Sequence, residues 1–342
     1  MSDQALKVLI VRLSSLGDVV QSLPVVHDVL QAYPNAQVDW VTEEAFAPLV
    51  QCVQGIRHVH VAAQRRWRKA WWAPKVRAER HAFQQALQAD AFDAVIDCQG
   101  LIKSALMARQ ARLTPTGFTA TYANASELCS YEWPVRWLLK RAIPMERRVH
   151  AVERSRRLVG RALQLPWAQD AALSPPQVLW RFPSDVQGTG LNVRAAPAAS
   201  EVWLIHGTTR PDNEWPLAYW VELAKRLQAQ GHRVVLPYFG EREMQRAQAV
   251  ASQAGLPPDS LFAPGPLNVL AERMAHAYGV IGLDTGLSHL AVALNRRHVQ
   301  LFSQPRIHRA GPQGGLHQKA VGGEQAPTLD EVWQAWTQVC QA

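Results

Sequence analysis

The sequence has few cysteines and no long apolar run. Its four cysteines, Cys52, Cys98, Cys129 and Cys340, are far apart and form no CxxC pair, so they indicate neither a zinc site nor a disulfide framework. This usage is expected in a reducing cytoplasm. No apolar stretch of about 20 residues and no segment resembling a signal peptide occurs, so we expect a chain that neither spans a membrane nor is exported.

The signatures of several catalytic classes are also missing. The chain contains no GxGxxG fingerprint, no P-loop, no HExxH helix and no GxSxG turn. These absences argue against a common dinucleotide site, P-loop phosphoryl transfer, a zinc protease and a serine hydrolase of the α/β type.

Acidic residues do not balance the basic ones in the first half of the chain. Residues 1–164 hold 22 Lys and Arg against 14 Asp and Glu, whereas residues 165–342 hold 14 of each kind. The net charge of +8 therefore lies entirely in the first half. Such asymmetry indicates an anionic partner, namely a nucleic acid, a membrane surface or an acidic substrate, or else a solvated basic face.

Runs rich in β-forming residues alternate with helical patterns along both halves. Five of these runs are predicted to be buried parallel strands: Val8–Val11, Val38–Val41, Ala94–Asp97, Val202–Ile205 and Gly279–Leu283. Apolar residues at helical spacing over Asp18–Ala32 predict one helix, and a capping box at Thr328 predicts a last helix. Residues 166–200, rich in Pro and Ala, form a linker or domain margin. The pattern predicts an α/β chain with doubly wound parallel sheets.

A turn of small residues follows the first strand. Ser14, Ser15 and Gly17 lead into Asp18, at the carboxyl edge where open α/β sheets bind ligands. An aspartate at a helix start is most often a cap of that helix. The functional alternative is a general base that the turn holds in position.

Two comparable edges follow strands of the second half. Residues 284–286, Asp-Thr-Gly, begin a predicted helix, and His289 lies one turn further on. The free N–H groups and the positive dipole end of such a helix start favour a pyrophosphate. Thr208 and Thr209 supply two hydroxyl groups at the other edge. Each edge alone is also compatible with an ordinary helix cap.

Basic and aromatic residues interleave over Gln64–Trp72, and Lys75, Arg77 and Arg80 follow. This segment is compatible with a solvated basic helix, with nucleic-acid contact, or with tryptophans at the headgroup depth of a membrane. A fourth alternative is that its arginines clamp carboxylate and phosphate groups. The residues alone do not separate these alternatives.

Six stretches of the chain resemble, in order and spacing, the heptosyltransferases of glycosyltransferase family 9. They are Lys7–Asp18, Asp39–Glu44, Arg65–Ala70, Ala94–Ser104, His150–Arg154 and Asp284–Leu290. The Asp-Thr-Gly-xx-His element of the last stretch is shared by the wider family. The third stretch is more particular to the heptosyltransferase that acts first on the lipopolysaccharide core. The resemblance extends from Lys7 to the C-terminus and is weak near residues 166–200.

The resemblance implies a GT-B fold, in which two Rossmann-like domains face each other across a cleft. Residues 1–170 would bind the acceptor and residues 171–327 the nucleotide sugar, with the last helix, 328–342, packed back on the first domain. The implied reaction is inverting transfer of L-glycero-D-manno-heptose from ADP-heptose to the inner 3-deoxy-octulosonate (Kdo) of Kdo2-lipid A. It would take place at the cytoplasmic face of the inner membrane, with no cofactor, no required metal and no nucleic acid as partner.

The resemblance also implies roles for particular residues. Asp18 would deprotonate the attacking hydroxyl of the acceptor. The residues expected to bind the donor are Thr208, Thr209, Asn213, Glu243, Asp284, Thr285, Gly286 and His289. The residues expected to bind the anionic groups of the acceptor are Arg12, Ser14, Ser15, Arg65, Arg66, Arg68, Lys69 and Lys103.

Two positions depart from the family pattern. Asn213 stands where the family usually has a lysine that helps to neutralise the pyrophosphate, and Arg210 is a candidate to compensate for it. Ser126 stands where an acceptor-side arginine is expected, and the sequence does not identify a substitute.

Other functions stay open at this point. Heptosyltransferase II or another core heptosyltransferase would use the same donor, although the cluster from Arg65 to Lys69 favours the first enzyme of the core. A sugar-nucleotide epimerase would have a related fold but would need no basic surface facing a lipid. A membrane-binding or nucleic-acid-binding module without enzymatic activity would use the basic segment alone.

Overall fold

The computed structural model describes residues 5–170, 172–185 and 200–342. The chain divides into two compact units, a first unit Met1–Arg181 and a second unit Phe182–Ala342. Part of the predicted domain margin, 166–200, lies outside the described residues. Within the described ranges, no helix is both long enough and apolar enough to cross a membrane.

The described part of the first unit contains a parallel sheet of six strands. Their bounds are β1 Lys7–Val11, β2 Gln37–Glu43, β3 Ile56–Ala62, β4 Ala91–Asp97, β5 Arg112–Tyr122 and β6 Arg141–Ile143. The strand order is β3-β2-β1-β4-β5-β6, and every neighbouring pair is parallel. The central strand β1 is buried along almost its whole length, because helices cover both faces of such a sheet.

Helices connect these strands, and one of them differs from the prediction. The helices of the first unit are α1 Leu16–Ser22, α2 Pro24–Ala32, α3 Ala47–Val50, α4 Gln64–Lys69, α5 Pro74–Gln88, α6 Ile102–Ala108, α7 Val135–Leu138 and α8 Ala151–Ala162. The sequence predicts one helix over Asp18–Ala32, and this is wrong because the structure ends α1 before Pro24. Proline has no N–H for the helix ladder, so it stands at the first position of a new helix.

The second unit repeats the architecture. Its described strands are β7 Glu201–Ile205, β8 Arg233–Pro237, β9 Leu261–Phe262, β10 Gly279–Leu283, β11 Arg297–Phe302 and β12 Gln318–Gly322, in the order β12-β11-β10-β7-β8-β9. Its helices are α9 Leu217–Ala229, α10 Glu241–Ala254, α11 Leu267–Ala275, α12 Gly286–Ala293, α13 Ile307–Ala310 and α14 Leu329–Gln341. These two parallel sheets confirm the predicted α/β class.

The last helix, α14, packs within the second unit. Thr328 and Glu331 form the capping box that the sequence predicts. The apolar face of the helix, which includes Val332 and Trp336, joins the core of the second unit, where α14 contacts β11 and β12. The helix therefore belongs to the second unit, and its expected packing on the first domain stays a prediction. The large indole of Trp336 is almost fully buried in its own unit.

Each sheet reverses its strand order at one place. In the first unit, β2 and β4 lie on opposite sides of β1, and in the second unit β8 and β10 lie on opposite sides of β7. The loops after β1 and β4, and those after β7 and β10, therefore diverge and leave a crevice, which is where open α/β sheets bind ligands. These are the loops to which the sequence assigns Asp18, Thr208 and Asp284.

Candidate active site

Asp18 is the third residue of α1, directly after the turn that follows β1. One of its carboxylate oxygens, Oδ2, accepts hydrogen bonds from the backbone N–H of Ser15 at 3.1 Å and from its hydroxyl at 2.9 Å. Ser15 is the N-cap of this helix and Asp18 is its partner in a capping box, so Asp18 takes part in capping but is not itself the cap residue. This bond also fixes the direction of the carboxylate, and 31% of the side chain stays exposed to solvent.

The second carboxylate oxygen of Asp18 is paired with an arginine. Nη2 of Arg12 lies 2.8 Å from Oδ1 of Asp18, and the almost fully buried guanidinium also donates to the carbonyl of Cys98. The ion pair places this oxygen of the carboxylate beside a buried positive charge. From the sequence we expect Arg12 to bind the acceptor, but the structure engages it with Asp18 and with the loop after β4.

The loop after β4 is held against the turn after β1. The fully buried Asp97 accepts from the N–H of Gln99 at 2.9 Å, and burial raises the pKa of its carboxyl group. Oε1 of Gln99 in turn accepts from the N–H of Leu13 at 2.9 Å. Nζ of Lys103 then lies 3.5 Å from Oγ of Ser14. The structure therefore brings the predicted residues Ser14, Ser15, Asp18 and Lys103 together.

A groove with a volume of about 520 Å³ in the first unit is lined by several of the predicted acceptor residues. We call it the basic groove, and its lining includes Glu43, Arg65, Arg68, Trp71, Arg80 and Lys103. Glu43 ends β2 next to β1, and the sequence gives it no role. Burial raises the pKa of Glu43, while the charges of Arg65 and Lys103 oppose that rise. The one signal in the sequence for Glu43 as a site residue is its position just after the end of a predicted strand next to β1, at the same sheet edge as the turn after β1.

The structure does not bring Arg66 and Lys69 into the basic groove. Arg66 forms ion pairs with Glu44 at 3.1 Å and with Glu79 at 2.6 Å. Lys69 is exposed at the end of α4 and does not belong to the lining of the groove. Consecutive residues of a helix point about 100° apart, so the basic segment presents Arg65 and Arg68 on one face and Arg66 on another.

Arg154 of α8 is a buried cation that the sequence leaves without a role. Its Cζ lies 3.6 Å from the centre of the Tyr122 ring, and Oη of Tyr122 is 3.3 Å from the carbonyl of Cys98. In the described part of the chain, Nε and Nη2 of Arg154 have no hydrogen-bond partner. The carbonyl of Cys98 therefore accepts from both Arg12 and Tyr122, and Arg154 packs on the ring of Tyr122. The only signal in the sequence is the stretch His150–Arg154.

In the second unit, the loops after β7 and β10 meet. Nδ2 of Asn213 donates to the carbonyl of Asp284 at 3.2 Å, so the segment that contains Thr208 and Thr209 reaches the start of α12. Oδ1 of Asp284 accepts from Nε2 of Gln300 at 3.1 Å and lies 3.4 Å from Nε2 of His289.

The start of α12 has donors directed away from the helix. Thr285 occupies the cap position, Gly286 is the first residue, and the side chain of Thr285 makes no capping bond. Its Oγ1 is buried and has no hydrogen-bond partner among the described residues. Orphan N–H groups, a hydroxyl and the positive dipole end together form an anion site.

Glu243 of α10 lies against the loop after β7. It accepts from the N–H of Phe239 at 2.7 Å, and burial raises the pKa of its carboxyl group. A Cβ placed on Gly207 would stand 2.5 Å from Cδ of Glu243, so a larger residue at position 207 would displace this carboxylate. Glu243 therefore lies at the carboxyl end of β7, beside the loop that contains Thr208.

Two further side chains near this edge, Arg210 and His206, contribute little positive charge to it. Arg210, which the sequence offers as a replacement for a lysine at 213, pairs with Asp212 at 2.9 Å. Burial lowers the pKa of His206, at the end of β7, to about 4, so this ring is neutral at pH 7. In the described ranges, no group of three or more His, Cys, Asp or Glu side chains is arranged to hold a metal ion.

Two doubly wound parallel domains, each with ligand-binding loops where its strand order reverses, are typical of GT-B glycosyltransferases. A family model, Glycosyltransferase family 9 (heptosyltransferase), matches residues 80–332, which is more than half of the chain. The chain belongs to glycosyltransferase family 9. It is an enzyme that transfers heptose in the biosynthesis of the lipopolysaccharide inner core.

Individual relatives agree with this assignment over nearly the whole chain. Lipopolysaccharide heptosyltransferase 1 of Escherichia coli K12 is 36% identical over 301 residues, which cover 87% of this chain and 88% of that protein. The solved structure of E. coli heptosyltransferase WaaC with ADP has a TM-score of 0.79 and 31% identity, and covers 98% of this chain and 100% of that chain. The same enzyme with ADP-2-deoxy-2-fluoro heptose gives a TM-score of 0.75 and 32% identity over 96% and 98%. The GT-B fold and the glycosyltransferase activity expected from the sequence are confirmed.

Proposed function

We propose that this chain transfers L-glycero-D-manno-heptose from ADP-heptose to the inner Kdo of Kdo2-lipid A, at the cytoplasmic face of the inner membrane. The observation that carries the proposal is the partly exposed carboxylate of Asp18, at the same sheet edge as residues that line the basic groove. Kdo carboxylates and lipid A phosphates are anionic, and Arg65, Arg68 and Lys103 offer them cationic partners. The E. coli relative with ADP and with a fluorinated ADP-heptose analogue supports the same donor here.

Asp18 is the proposed general base. Its carboxylate takes the proton of the acceptor hydroxyl as the oxygen forms a bond to the anomeric carbon of heptose. The bond from that carbon to the β-phosphate oxygen breaks in the same step, and ADP leaves with the electron pair. Attack from the opposite face inverts the anomeric configuration. Arg12 and Ser15 hold the carboxylate in one direction, so it is oriented before the acceptor binds.

The departing ADP is the proposed ligand of the second unit. The N–H groups at the start of α12 and the hydroxyl of Thr285 would stabilise the pyrophosphate, as fixed donors do for developing negative charge. His289, Thr208 and Thr209 are the further donors that we assign to this role, and Gly286 permits a close approach. Glu243 would accept from the ribose hydroxyls. We propose that these groups suffice without a cofactor or a required metal.

Replacing Asn213 by lysine should strengthen donor binding. Asn213 lies in hydrogen-bond contact with Asp284 just before α12, and an ammonium there would add one charge-assisted contact to the pyrophosphate. We expect the Kd for ADP, measured by calorimetry, to fall about tenfold, the equivalent of about 1.4 kcal/mol. Gln253→Lys, which adds the same charge at an exposed position of α10, is the matched control and should leave the Kd unchanged. An unchanged Kd in Asn213→Lys would remove position 213 from the pyrophosphate site.

Arg154 is our proposed replacement for the acceptor arginine expected at Ser126. Two nitrogens of this buried guanidinium have no hydrogen-bond partner among the described residues, and we propose that they donate to a carboxylate or phosphate of the acceptor. Arg154→Met should raise the KM for the acceptor about tenfold, as for the loss of one charge-assisted hydrogen bond, and leave the Kd for ADP unchanged.

A neighbour on the same helix supplies the control for Arg154. Arg156 is equally buried but pairs with Asp28 at 2.7 Å, so Arg156→Met leaves a buried carboxylate alone and should cost about 3–5 kcal/mol of unfolding free energy. Arg154→Met leaves no such carboxylate and should cost much less. A large loss of stability in Arg154→Met with an unchanged acceptor KM would make Arg154 a structural residue.

The choice of acceptor separates the first core heptosyltransferase from heptosyltransferase II. ADP release is measured with ADP-heptose and either Kdo2-lipid A or the same acceptor already carrying one heptose. We expect kcat/KM to favour the acceptor without heptose by at least tenfold. A preference for the heptosylated acceptor would overturn the proposal and assign the chain to a later step of the core. Repeating the preferred reaction with excess chelator tests the independence from metal, since a complete loss of turnover would contradict it.

A further inference from the structure

Four tryptophans of the first unit are mostly exposed to solvent. The exposed fractions are 63% for Trp71, 62% for Trp72, 58% for Trp133 and 67% for Trp137. They form two pairs with edge-to-face rings, whose centres are 5.9 Å apart in the first pair and 4.8 Å apart in the second. Tryptophan is normally well buried, and a monomeric protein rarely leaves so much indole surface in water without an interaction to explain it.

Both pairs border the same helix, α6. Trp71 and Leu106 of α6 line the basic groove together. At the start of α6, the N–H of Ile102 donates to the carboxylate of Glu132 at 2.6 Å, which attaches the segment of Trp133 to this helix. Ile102 and Leu106 are themselves exposed. These side chains therefore border α6, which contributes Leu106 to the basic groove. We call Trp71, Trp72, Ile102, Leu106, Trp133 and Trp137 the tryptophan surface.

Cationic side chains lie on two sides of the tryptophan surface. Residues 64–80 contain seven Lys and Arg but one acidic residue, Glu79, which bonds to Arg66. On the other side, Cζ of Arg136 lies 4.9 Å from the centre of the Trp137 ring. Indole rings at headgroup depth, aliphatic side chains below them and a ring of Lys and Arg around them are the composition of surfaces that bind anionic bilayers.

We infer that the tryptophan surface inserts into the interface of an anionic phospholipid bilayer and so holds the basic groove over an acceptor that stays in the membrane. This inference deepens the proposed function, since it rests on an acceptor that carries lipid. A single-stranded nucleic acid fits less well, because it needs flat open ring faces for its bases. The tryptophans instead pack edge to face on each other, and Ile102 and Leu106 offer no stacking face.

The test measures how the full chain partitions onto vesicles. Wild type is sedimented with vesicles of phosphatidylglycerol and phosphatidylethanolamine, and with vesicles of phosphatidylcholine alone. The variant carries Trp72→Ala, Trp133→Ala and Trp137→Ala, and leaves Trp71 in place because it lines the groove. We expect wild type to bind the anionic vesicles only, and the variant to bind them at least tenfold more weakly. The matched control is Leu179→Ala with Leu316→Ala, two exposed leucines outside the tryptophan surface, and it should bind like wild type.

Two activity measurements keep this inference separate from the proposed function. With a fully deacylated, water-soluble Kdo acceptor, the triple tryptophan variant should keep the kcat/KM of wild type. With Kdo2-lipid A in anionic vesicles, its rate should fall by the same factor as its binding. Failure of wild type to transfer heptose to either acceptor would refute the proposed function, whatever the vesicle result.

The inference on the tryptophan surface has its own contrary outcomes. It is overturned if wild type does not sediment with anionic vesicles, or if the triple variant sediments as wild type does. It is also overturned if the three substitutions weaken binding to single-stranded RNA but not binding to vesicles. A brominated phospholipid provides a second measurement on the unmodified chain, because inserted indoles are quenched by it. Quenching that is much weaker in the triple variant, which keeps only Trp71 of the four exposed indoles, supports the insertion, and equal quenching in both contradicts it.

Discussion

Asp18→Asn is expected to lower kcat about a thousandfold, within the range typical of the loss of a general base, while the Kd for ADP stays unchanged. Asparagine has the size of aspartate and can still accept from Ser15, so the turn after β1 keeps its cap. It cannot take a proton from the acceptor hydroxyl. Turnover is measured from ADP release with a saturating acceptor, and ADP binding by calorimetry.

The ion pair with Arg12 makes a control for stability necessary. Asp18→Asn leaves the buried guanidinium of Arg12 without its carboxylate, so some loss of unfolding temperature is expected. Ser15→Ala is the matched variant, because it removes one hydrogen bond to the carboxylate and keeps the charge. We expect Ser15→Ala to lower kcat by no more than about tenfold, in line with one neutral hydrogen bond. A folded Asp18→Asn enzyme with near-normal kcat would exclude Asp18 as the base.

Glu243→Ala is expected to weaken ADP binding about 100-fold, with a much smaller effect on the KM of the acceptor. The change removes two charge-assisted hydrogen bonds to ribose hydroxyls, each worth about 1.5 kcal/mol, and 1.4 kcal/mol corresponds to a factor of ten. Glu243→Gln should lie between alanine and wild type, because the amide keeps one acceptor oxygen. Equal ADP affinity in Glu243→Ala and wild type would contradict the ribose role.

Gly207 provides an independent measurement of the same contact. Because a Cβ there would stand 2.5 Å from Cδ of Glu243, Gly207→Ala must displace the carboxylate, and it should weaken ADP binding nearly as much as Glu243→Ala. The double variant should then be little worse than either single one, since both act on one group. Gly265→Ala is the control, because no atom lies within 4 Å of its added Cβ. Fully additive losses would show that Gly207 and Glu243 act separately.

The sequence predicts the positions of the site well because they follow from backbone topology. Short β-rich runs are typical of parallel strands buried on both faces, and the carboxyl ends of such strands define where ligands bind. Asp18 after β1 and Asp284 after β10 could therefore be located without side-chain geometry. Strand order does not determine what these side chains do chemically, so their proposed roles stay predictions.

Side-chain partners are what the sequence cannot provide. An arginine beside a site can face a ligand or pair within the protein, and only packing decides between them. Arg12 and Arg66 both carry the residue type expected for an anionic acceptor, yet the structure pairs one with Asp18 and the other with Glu44 and Glu79. The reverse holds for Arg154, which looks like an ordinary helix residue in the sequence. Its burial, with no carboxylate partner in the part of the chain that the structure describes, is visible only in the fold.

The most direct test of the proposed function is mass spectrometry of Kdo2-lipid A after incubation with the enzyme and ADP-heptose. The proposal predicts that wild type adds the mass of one heptose to the acceptor, and that the same amount of Asp18→Asn enzyme adds none within the same time. An acceptor of unchanged mass with wild type would contradict the proposed reaction. Equal amounts of product from both enzymes would contradict the role of Asp18, the residue on which the mechanism depends.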